Sequence, residues 1–451
     1  MPPAHCCNPR LAADAGSSLM RALYTFLVFL ALPLLPLRLW WRGRKEPGYR
    51  EHVGERYGRY AGAPAARRPV LWIHAVSLGE TRACAPLVER AKRSYPNATI
   101  LLTHMTATGR ATGRALFGDT VAQAWLPYDA PFAVRAFLAH WQPVAGILME
   151  TELWPNVVAV AAAAGVPLFL VNARLSERSA AGYARVPSIA RPMLAALTGV
   201  AAQAGADAAR LAALGARTPV VTGNLKFDLE VPDAALALAA EFRVRFGESR
   251  RTWVAGSTRD GEEALILDAL ARTPPPKSTL TIIVPRHPQR FATVAELLRQ
   301  RGIPFVALST HVPVTSDTAV FLGDSMGELP AYYAAAEVAF VGGSLLPFGA
   351  HTLIEPLAVG TPVVIGPHSF NFADATRNAV ASGAALEVAD AAALVATVGE
   401  LLRDPARRER MHAAALEFHS AHRGAEDRLW AWLAPQLPET LRGQVSPGAA
   451  G

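Results

Sequence analysis

The sequence predicts an α/β protein: two doubly wound parallel-sheet domains facing a cleft, behind an N-terminal apolar helix. Three observations predict it. Short apolar runs alternate with helix-like segments along most of the chain, the pattern of parallel sheets covered on both faces. That alternation breaks once, between Phe227 and Arg251, and then resumes, which divides the chain in two. A basic-flanked apolar stretch precedes the first run. With 451 residues the chain also exceeds what one ordinary core supports.

From the N-terminus, residues 1–19 show no periodicity and read either as a disordered extension or as residues upstream of the true start. Residues 20–45 are apolar from Ala22 to Leu37, then basic and aromatic at Arg38, Trp40, Trp41, Arg42, Arg44 and Lys45. The run is marginal for a span and carries Pro33 and Pro36, so a single-pass or interfacial membrane anchor is expected. No small-residue cleavage site follows it, which argues against a removable signal peptide. A first domain, 46–235, has strand-like runs at Val70–Val76, Thr99–His104, Val144–Met149, Pro167–Ala173 and Pro219–Asn224. One helix is expected over Gly79–Tyr95. A second domain, 236–437, has them at Thr252–Ser257, Leu280–His287, Pro304–Ser309, Ala319–Asp324, Glu337–Ser344 and Thr361–Gly366. Helices from Asp390 to Leu437 are expected to close the second domain, and 438–451 reads as a frayed tail.

A hydrophobic fraction of 51% and a net charge of +7 fit a well-packed enzyme with anionic partners. No Lys/Arg run, zinc spacing or RNA-type aromatic motif points to nucleic acid. The three cysteines (Cys6, Cys7 and Cys84) form no C-x-x-C pair and suit a reducing compartment.

Ligands of such sheets bind beyond the carboxyl ends of the strands, so polar clusters there are the candidates. In the second half, Gly343 and Ser344 follow an apolar strand, where backbone N–H groups approach a phosphate. His351 and Glu355, four apart, are expected on one helix face, with the carboxylate available to ribose hydroxyls. Arg286 offers a forked cation. Ser257, Thr258 and His287 lie at neighbouring strand ends. The absence of Asp-x-Asp and of further ligands around His351 and Glu355 predicts no metal. In the first half, Ser77, Gly79 and Glu80 follow one strand; Glu150 and Glu152 follow another, and Lys226 a third. Glu80 reads either as a carboxylate complementing a helix N-terminus or as a base whose proton affinity a closed cleft restores.

These stretches together resemble the lipid A Kdo (3-deoxy-D-manno-octulosonic acid) transferases, membrane-associated glycosyltransferases of the GT-B fold with two Rossmann-like domains. The resemblance runs from about Leu23 to the last helices. It is carried by "RGRKEPGYREHVGERYG", "HAVSLGE", "LPYDAP", "METELWPN", "NARLSERSAAGYA", "TGNLKFD", "GSTRDGEE", "VPRHPQRF", "GDSMGEL", "FVGGSL" and "GPHSFNF". It implies inverting, metal- and cofactor-independent transfer of Kdo from CMP-Kdo to the 6′-hydroxyl of a lipid A precursor (lipid IVA). The setting it implies is lipopolysaccharide biosynthesis at the cytoplasmic face of the inner membrane, against an anionic leaflet. By motif it makes Glu80 the general base, and Glu150 and Lys226 transition-state stabilisers. It places CMP on Pro285, Arg286, Met326, Gly327, Glu328, Thr352, Leu353, Ile354 and Glu355. One departure is visible: family members usually read Gly-Gly-His-Asn where this chain has Gly349-Ala350-His351-Thr352. The competing readings are another GT-B transferase with a heptosyl or N-acetylglucosaminyl donor, and an inactive membrane-bound lipid A- or nucleotide-binding protein.

Overall fold

The computed structural model describes residues 9–44, 46–61 and 68–442. Cys6, Cys7, Lys45 and the tail beyond Arg442 lie outside the described residues. The chain divides into two compact units, one of residues up to Leu229 together with those from Gly424 on, the other Glu230–Arg423.

The first unit holds a seven-stranded parallel sheet: β1 (Val70–His74), β2 (Thr99–His104), β3 (Ala122–Trp125), β4 (Pro143–Met149), β5 (Leu168–Ala173), β6 (Gly199–Ala202) and β7 (Val220–Val221). Their order is β3-β2-β1-β4-β5-β6-β7. The chain runs outward from β1 to β3 and returns to place β4 on the other side of β1. The β1/β4 pair is therefore the point where the winding reverses, the place where such sheets open a ligand crevice. Val70 and Trp72 pack on one face with Leu148 and Leu170, while Leu71 and Ile73 pack on the other with Ile147 and Phe169. Burial of both faces explains why β1 reads as a continuous apolar run.

The second unit repeats the plan with β8 (Thr252–Thr258), β9 (Leu280–Pro285), β10 (Phe305–Ala307), β11 (Val320–Leu322), β12 (Val338–Val341), β13 (Val363–Ile365) and β14 (Ala385–Glu387). The order is β10-β11-β9-β8-β12-β13-β14, again wholly parallel, with the reversal between β8 and β12.

Four expectations are corrected. The extension before residue 20 is helical from Pro9, in a helix Pro9–Ala31. Proline is tolerated at a first helical position, and the Ala- and Leu-rich sequence that follows has high helix propensity. The single helix expected over Gly79–Tyr95 is two, Leu78–Ala83 and Ala85–Ser94. Pro86 cannot donate to the carbonyl of Arg82 and breaks the run there. The strand expected at Pro219–Asn224 shrinks to the two residues of β7, at the sheet edge.

The closing helices also divide. Ala391–Arg403 packs with the second sheet, but Ala425–Leu433 packs with the first. Leu429, Leu433, Leu437 and Leu441 cover the face of Leu71, Ile73 and Phe169. Asp228 fixes the entry of that helix, accepting from the backbone N–H groups of Gly424 and Glu426 at 2.6 Å each.

The apolar N-terminal segment Ser18–Arg42 is long and apolar enough to cross a membrane. One stripe of it (Tyr24, Thr25, Val28, Leu32, Leu35 and Leu39) turns toward the first unit, at helical spacing. Leu19, Leu23, Phe26, Leu27, Leu30, Leu34, Leu37 and Trp41 are exposed. Side-chain hydrogen bonds hold the inner stripe: Tyr24 Oη to Asp129 Oδ2 at 2.8 Å, Thr25 Oγ1 to Asn156 Oδ1 at 3.0 Å, and Tyr57 Oη to the Leu32 carbonyl at 3.4 Å.

Candidate active site

In the first unit three strand ends bring the candidates together. After β1 the chain turns at Ser77, which caps the helix Leu78–Ala83. Glu80 is the third residue of that helix. Its Oε1 accepts from Ser77 Oγ at 2.9 Å and its Oε2 from the Val76 N–H at 2.8 Å, a variant of the capping box. The helix-end role is therefore real. Yet Glu80 is only 9% exposed, and burial together with the neighbouring Glu150 charge pushes its carboxyl up to about 8, against the pull of those two hydrogen bonds. The same residue is both a structural cap and a carboxylate with the proton affinity of a base.

After β4, Glu150 adopts a left-handed backbone with φ of 57°, a conformation sparsely populated outside glycine and concentrated at functional sites. Lys226 reaches it from the short helical turn Leu225–Asp228 after β7, Nζ to Oε1 at 2.8 Å. That turn is set by Asn172 at the end of β5, whose Oδ1 accepts from the Leu225 N–H at 3.0 Å. Glu152 accepts from Trp154 Nε1 at 3.1 Å, and burial raises it to about 6. A carboxylate of high proton affinity thus stands beside a carboxylate–ammonium pair, an arrangement chemically suited to accept a proton from one group and to stabilise charge on another. Gly79 leaves the approach open: a side chain there would meet nothing closer than Ser77 Oγ at 3.9 Å. His74 and His104, buried beneath, are held neutral, at about 3 and about 4, chiefly by desolvation. They belong to the core.

In the second unit the strand ends behave differently from expectation at two points. The N–H groups of Gly343 and Leu345 point at a carboxylate of the chain itself, donating to Glu262 at 2.6 and 2.9 Å. The Arg259 N–H joins them at 2.8 Å. Ser344 is fully buried, donating to the Val341 carbonyl and accepting from the Gly366 N–H. The loop expected to cradle a phosphate through these groups is filled by an internal anion. His351 likewise shares no helix with Glu355: the helix Ile354–Ala358 begins after it, with Thr352 Oγ1 accepting from the Ile354 N–H at 3.2 Å.

Of the remaining candidates, Ser257, Thr258, Pro285, Arg286, His287 and His351 gather at neighbouring strand ends. Ser257 bulges from β8 at φ of 57°, where its register with β9 shifts, and Thr258 pairs with Pro285. The Arg286 N–H donates to the Thr258 carbonyl at 3.0 Å. His351 is pushed down to about 3 by burial and by the charges of Arg286 and Arg259; His287 is lowered for the same reasons. Met326 is half exposed beside Gly327, and Glu328 accepts from Ser325 Oγ. Leu353 and Ile354 are buried. Ala350 sits at φ of 65°. Its methyl group stands in a left-handed conformation that glycine adopts without penalty, a cost of roughly 1 kcal/mol.

The family model for 3-deoxy-D-manno-octulosonic-acid transferase (kdotransferase) matches residues 51–229, and that for glycosyl transferases group 1 matches residues 307–418. A 3-deoxy-D-manno-octulosonic acid transferase of Bordetella pertussis is 44% identical over 90% of this chain and 97% of its own. The enzyme of that name from Haemophilus influenzae is 38% identical over 93% and 100%. The chain belongs to the Kdo transferase family. Among solved structures, HepE of Anabaena in complex with UDP matches with a TM-score of 0.56 at 15% identity, over 82% of this chain and 100% of that one. A glycosyltransferase of Rickettsia africae matches with a TM-score of 0.57 at 13% identity, over 84% and 100%. At such identities these likenesses speak for the fold, two Rossmann-like domains of the GT-B class.

Three residues of this Kdo transferase escaped sequence reasoning. Glu262 lies in "GSTRDGEE" but gives no local sign that it will reach across to β12. Arg259, in the same stretch, places its guanidinium 4.7 Å from the Phe348 ring centroid and donates from Nη1 to His287 Nε2 at 3.0 Å. Asp129, in "LPYDAP", accepts from the N–H groups of Asn156 and Val157 at 3.0 and 2.7 Å, fixing the helix that follows Glu150 and Glu152. Only the motif membership of these residues was a signal.

Proposed function

We propose that this Kdo transferase moves Kdo from CMP-Kdo to the 6′-hydroxyl of a phosphorylated, acylated lipid A precursor, with inversion, and with Glu80 as the base. The observation that carries the reading is the raised proton affinity of Glu80 beside the Glu150–Lys226 pair. The Glu80 carboxylate takes the hydroxyl proton as the acceptor oxygen bonds to the anomeric carbon from the face opposite CMP. The bond from that carbon to the phosphate oxygen breaks, and CMP departs with the electron pair. Glu150 and Lys226 stabilise the charge that develops. CMP rests on Pro285, Arg286, the backbone of Met326–Glu328, and Thr352 to Glu355. The reaction as proposed uses neither metal nor cofactor: Arg286 supplies the charge at the phosphate.

The protein is proposed to work at the cytoplasmic face of the inner membrane. The docked inner stripe of the N-terminal segment, tied by Tyr24 and Thr25, favours a helix lying in the interface over one crossing the bilayer. Its exposed apolar stripe would enter the acyl layer, with Arg38 and Arg44 toward anionic head groups. Mass analysis of the product from CMP-Kdo and the tetra-acylated precursor tests donor and acceptor together. A mass gain of one or more Kdo residues is expected. No gain with CMP-Kdo, and transfer from a UDP- or ADP-sugar instead, would overturn the donor assignment.

A further inference from the structure

The reversal point of the second sheet is where a doubly wound domain ordinarily offers backbone N–H groups to a ligand phosphate. Here three of those groups, on Arg259, Gly343 and Leu345, are taken by Glu262, which is fully buried. Those three N–H groups are therefore not available to an anion arriving at this strand end. The cations gathered there are not equivalent. Arg290 is spent on Asp260 and Glu263. Arg259 makes no ion pair among the described residues; it is steered by Phe348 and by His287. Since a guanidinium only donates, His287 Nε2 must be the bare, accepting nitrogen, and the pair carries a single charge on Arg259. A methyl group built on Gly343 would stand 3.3 Å from His351 Cδ2 and 3.4 Å from Arg259 Cγ, so Arg259 and His351 flank the same strand end. The Arg259 backbone fixes the internal carboxylate while its side chain projects a forked, partly desolvated cation beside Arg286.

We propose that Arg259 binds an anionic group of the donor, acting with Arg286 in the role the backbone N–H groups have surrendered to Glu262. This rests on the reading of the second unit as the donor-binding domain. A CMP-linked ulosonic acid carries two anions that suit a guanidinium fork, the phosphodiester and the sugar carboxylate.

The test compares Arg259→Gln and Arg259→Lys with the wild type in membrane-bound full-length enzyme, reading the KM for CMP-Kdo and the inhibition constant of CMP. Loss of a charge-assisted pair predicts a rise of roughly 10- to 100-fold in Arg259→Gln, with partial recovery in Arg259→Lys. If both constants rise, Arg259 holds the phosphate; if only the KM rises, it holds the sugar carboxylate. Either result supports the assignment. Both constants within twofold of wild type in Arg259→Gln, with unchanged melting temperature, would overturn it. If Arg259→Gln melts earlier, Arg259→Met, which keeps the apolar stem without the charge, decides: constants there within twofold of wild type while fold is kept would also overturn it. A wild type that neither uses CMP-Kdo nor is inhibited by CMP would instead bring down the donor reading itself.

Discussion

At the scale of single residues, Glu80 combines a structural role with the chemistry proposed for it. Its two hydrogen bonds lower its proton affinity, and burial beside Glu150 raises it more, leaving it at about 8. A base must be unprotonated to act, so kcat/KM is expected to climb with pH and level off above about 8. The same shift has a stability consequence of known sign. A carboxyl whose folded-state affinity exceeds its unfolded one stabilises the fold below about 4.5, and that contribution is lost as pH rises through 8. Glu80→Gln mimics the protonated acid. It is expected to lose at least about 10³-fold in kcat while melting higher than the wild type at pH 9. Parallel pH–rate and thermal-melt series check this. A variant that keeps near-normal turnover, or melts lower at pH 9, contradicts the assignment.

At the scale of elements, the N-terminal segment is linked to the loop that carries Glu150 and Glu152. Asp129 accepts from Tyr24 Oη and from the first N–H groups of the helix Pro155–Ala163, while Asn156 Nδ2 donates to the Asp129 carbonyl at 2.7 Å. That helix starts three residues after Glu152. Tyr24→Phe removes one donor to a buried carboxylate, at a cost of about 1–3 kcal/mol. The variant is expected to remain membrane-bound and to lose activity through kcat more than through the KM for the acceptor. Sedimentation with membranes and steady-state kinetics separate the two. Loss of membrane binding with normal kcat would assign Tyr24 to anchoring alone. This element also marks what a sequence reveals. The alternation of apolar runs exposed most of both sheets, because parallel strands are buried on two faces and leave a strong pattern. It missed the short strands β3, β6 and β14, whose three or four residues carry too brief an apolar run. The polar strand ends exposed most of the catalytic candidates, since architecture puts them there. Long-range polar contacts leave no periodic trace, so Asp129 reaching Tyr24, and Glu262 filling the Gly343 loop, were not legible. The split of the closing helices was hidden for a related reason. Ala391–Arg403 and Ala425–Leu433 are both amphipathic, and amphipathicity names a buried face without naming what buries it.

At the scale of the whole molecule, that split makes a prediction about which part of the chain stabilises which sheet. The first unit is discontinuous: its outer layer is completed by residues more than 190 positions beyond Leu229 in the chain. Leu433 is fully buried against the face that includes Leu71, Ile73 and Phe169. Leu433→Ala removes buried methyl groups and leaves a cavity, a cost of roughly 2–5 kcal/mol. If the helix Ala425–Leu433 belonged to the second domain, as its place in the sequence suggests, the loss would fall on β8–β14. Its packing with the first sheet sends the loss to β1–β7 instead. Hydrogen exchange followed by mass spectrometry resolves the two. Peptides covering Val70–His74 and Leu168–Ala173 are expected to lose protection, while those covering Thr252–Thr258 and Val338–Val341 keep it. Deprotection confined to the second set would overturn the assignment. Deprotection of both sets to the same extent would show that the two sheets unfold as one cooperative body. The expected outcome is selective, because the side chains packed around Leu433 lie on the first sheet and its covering helices.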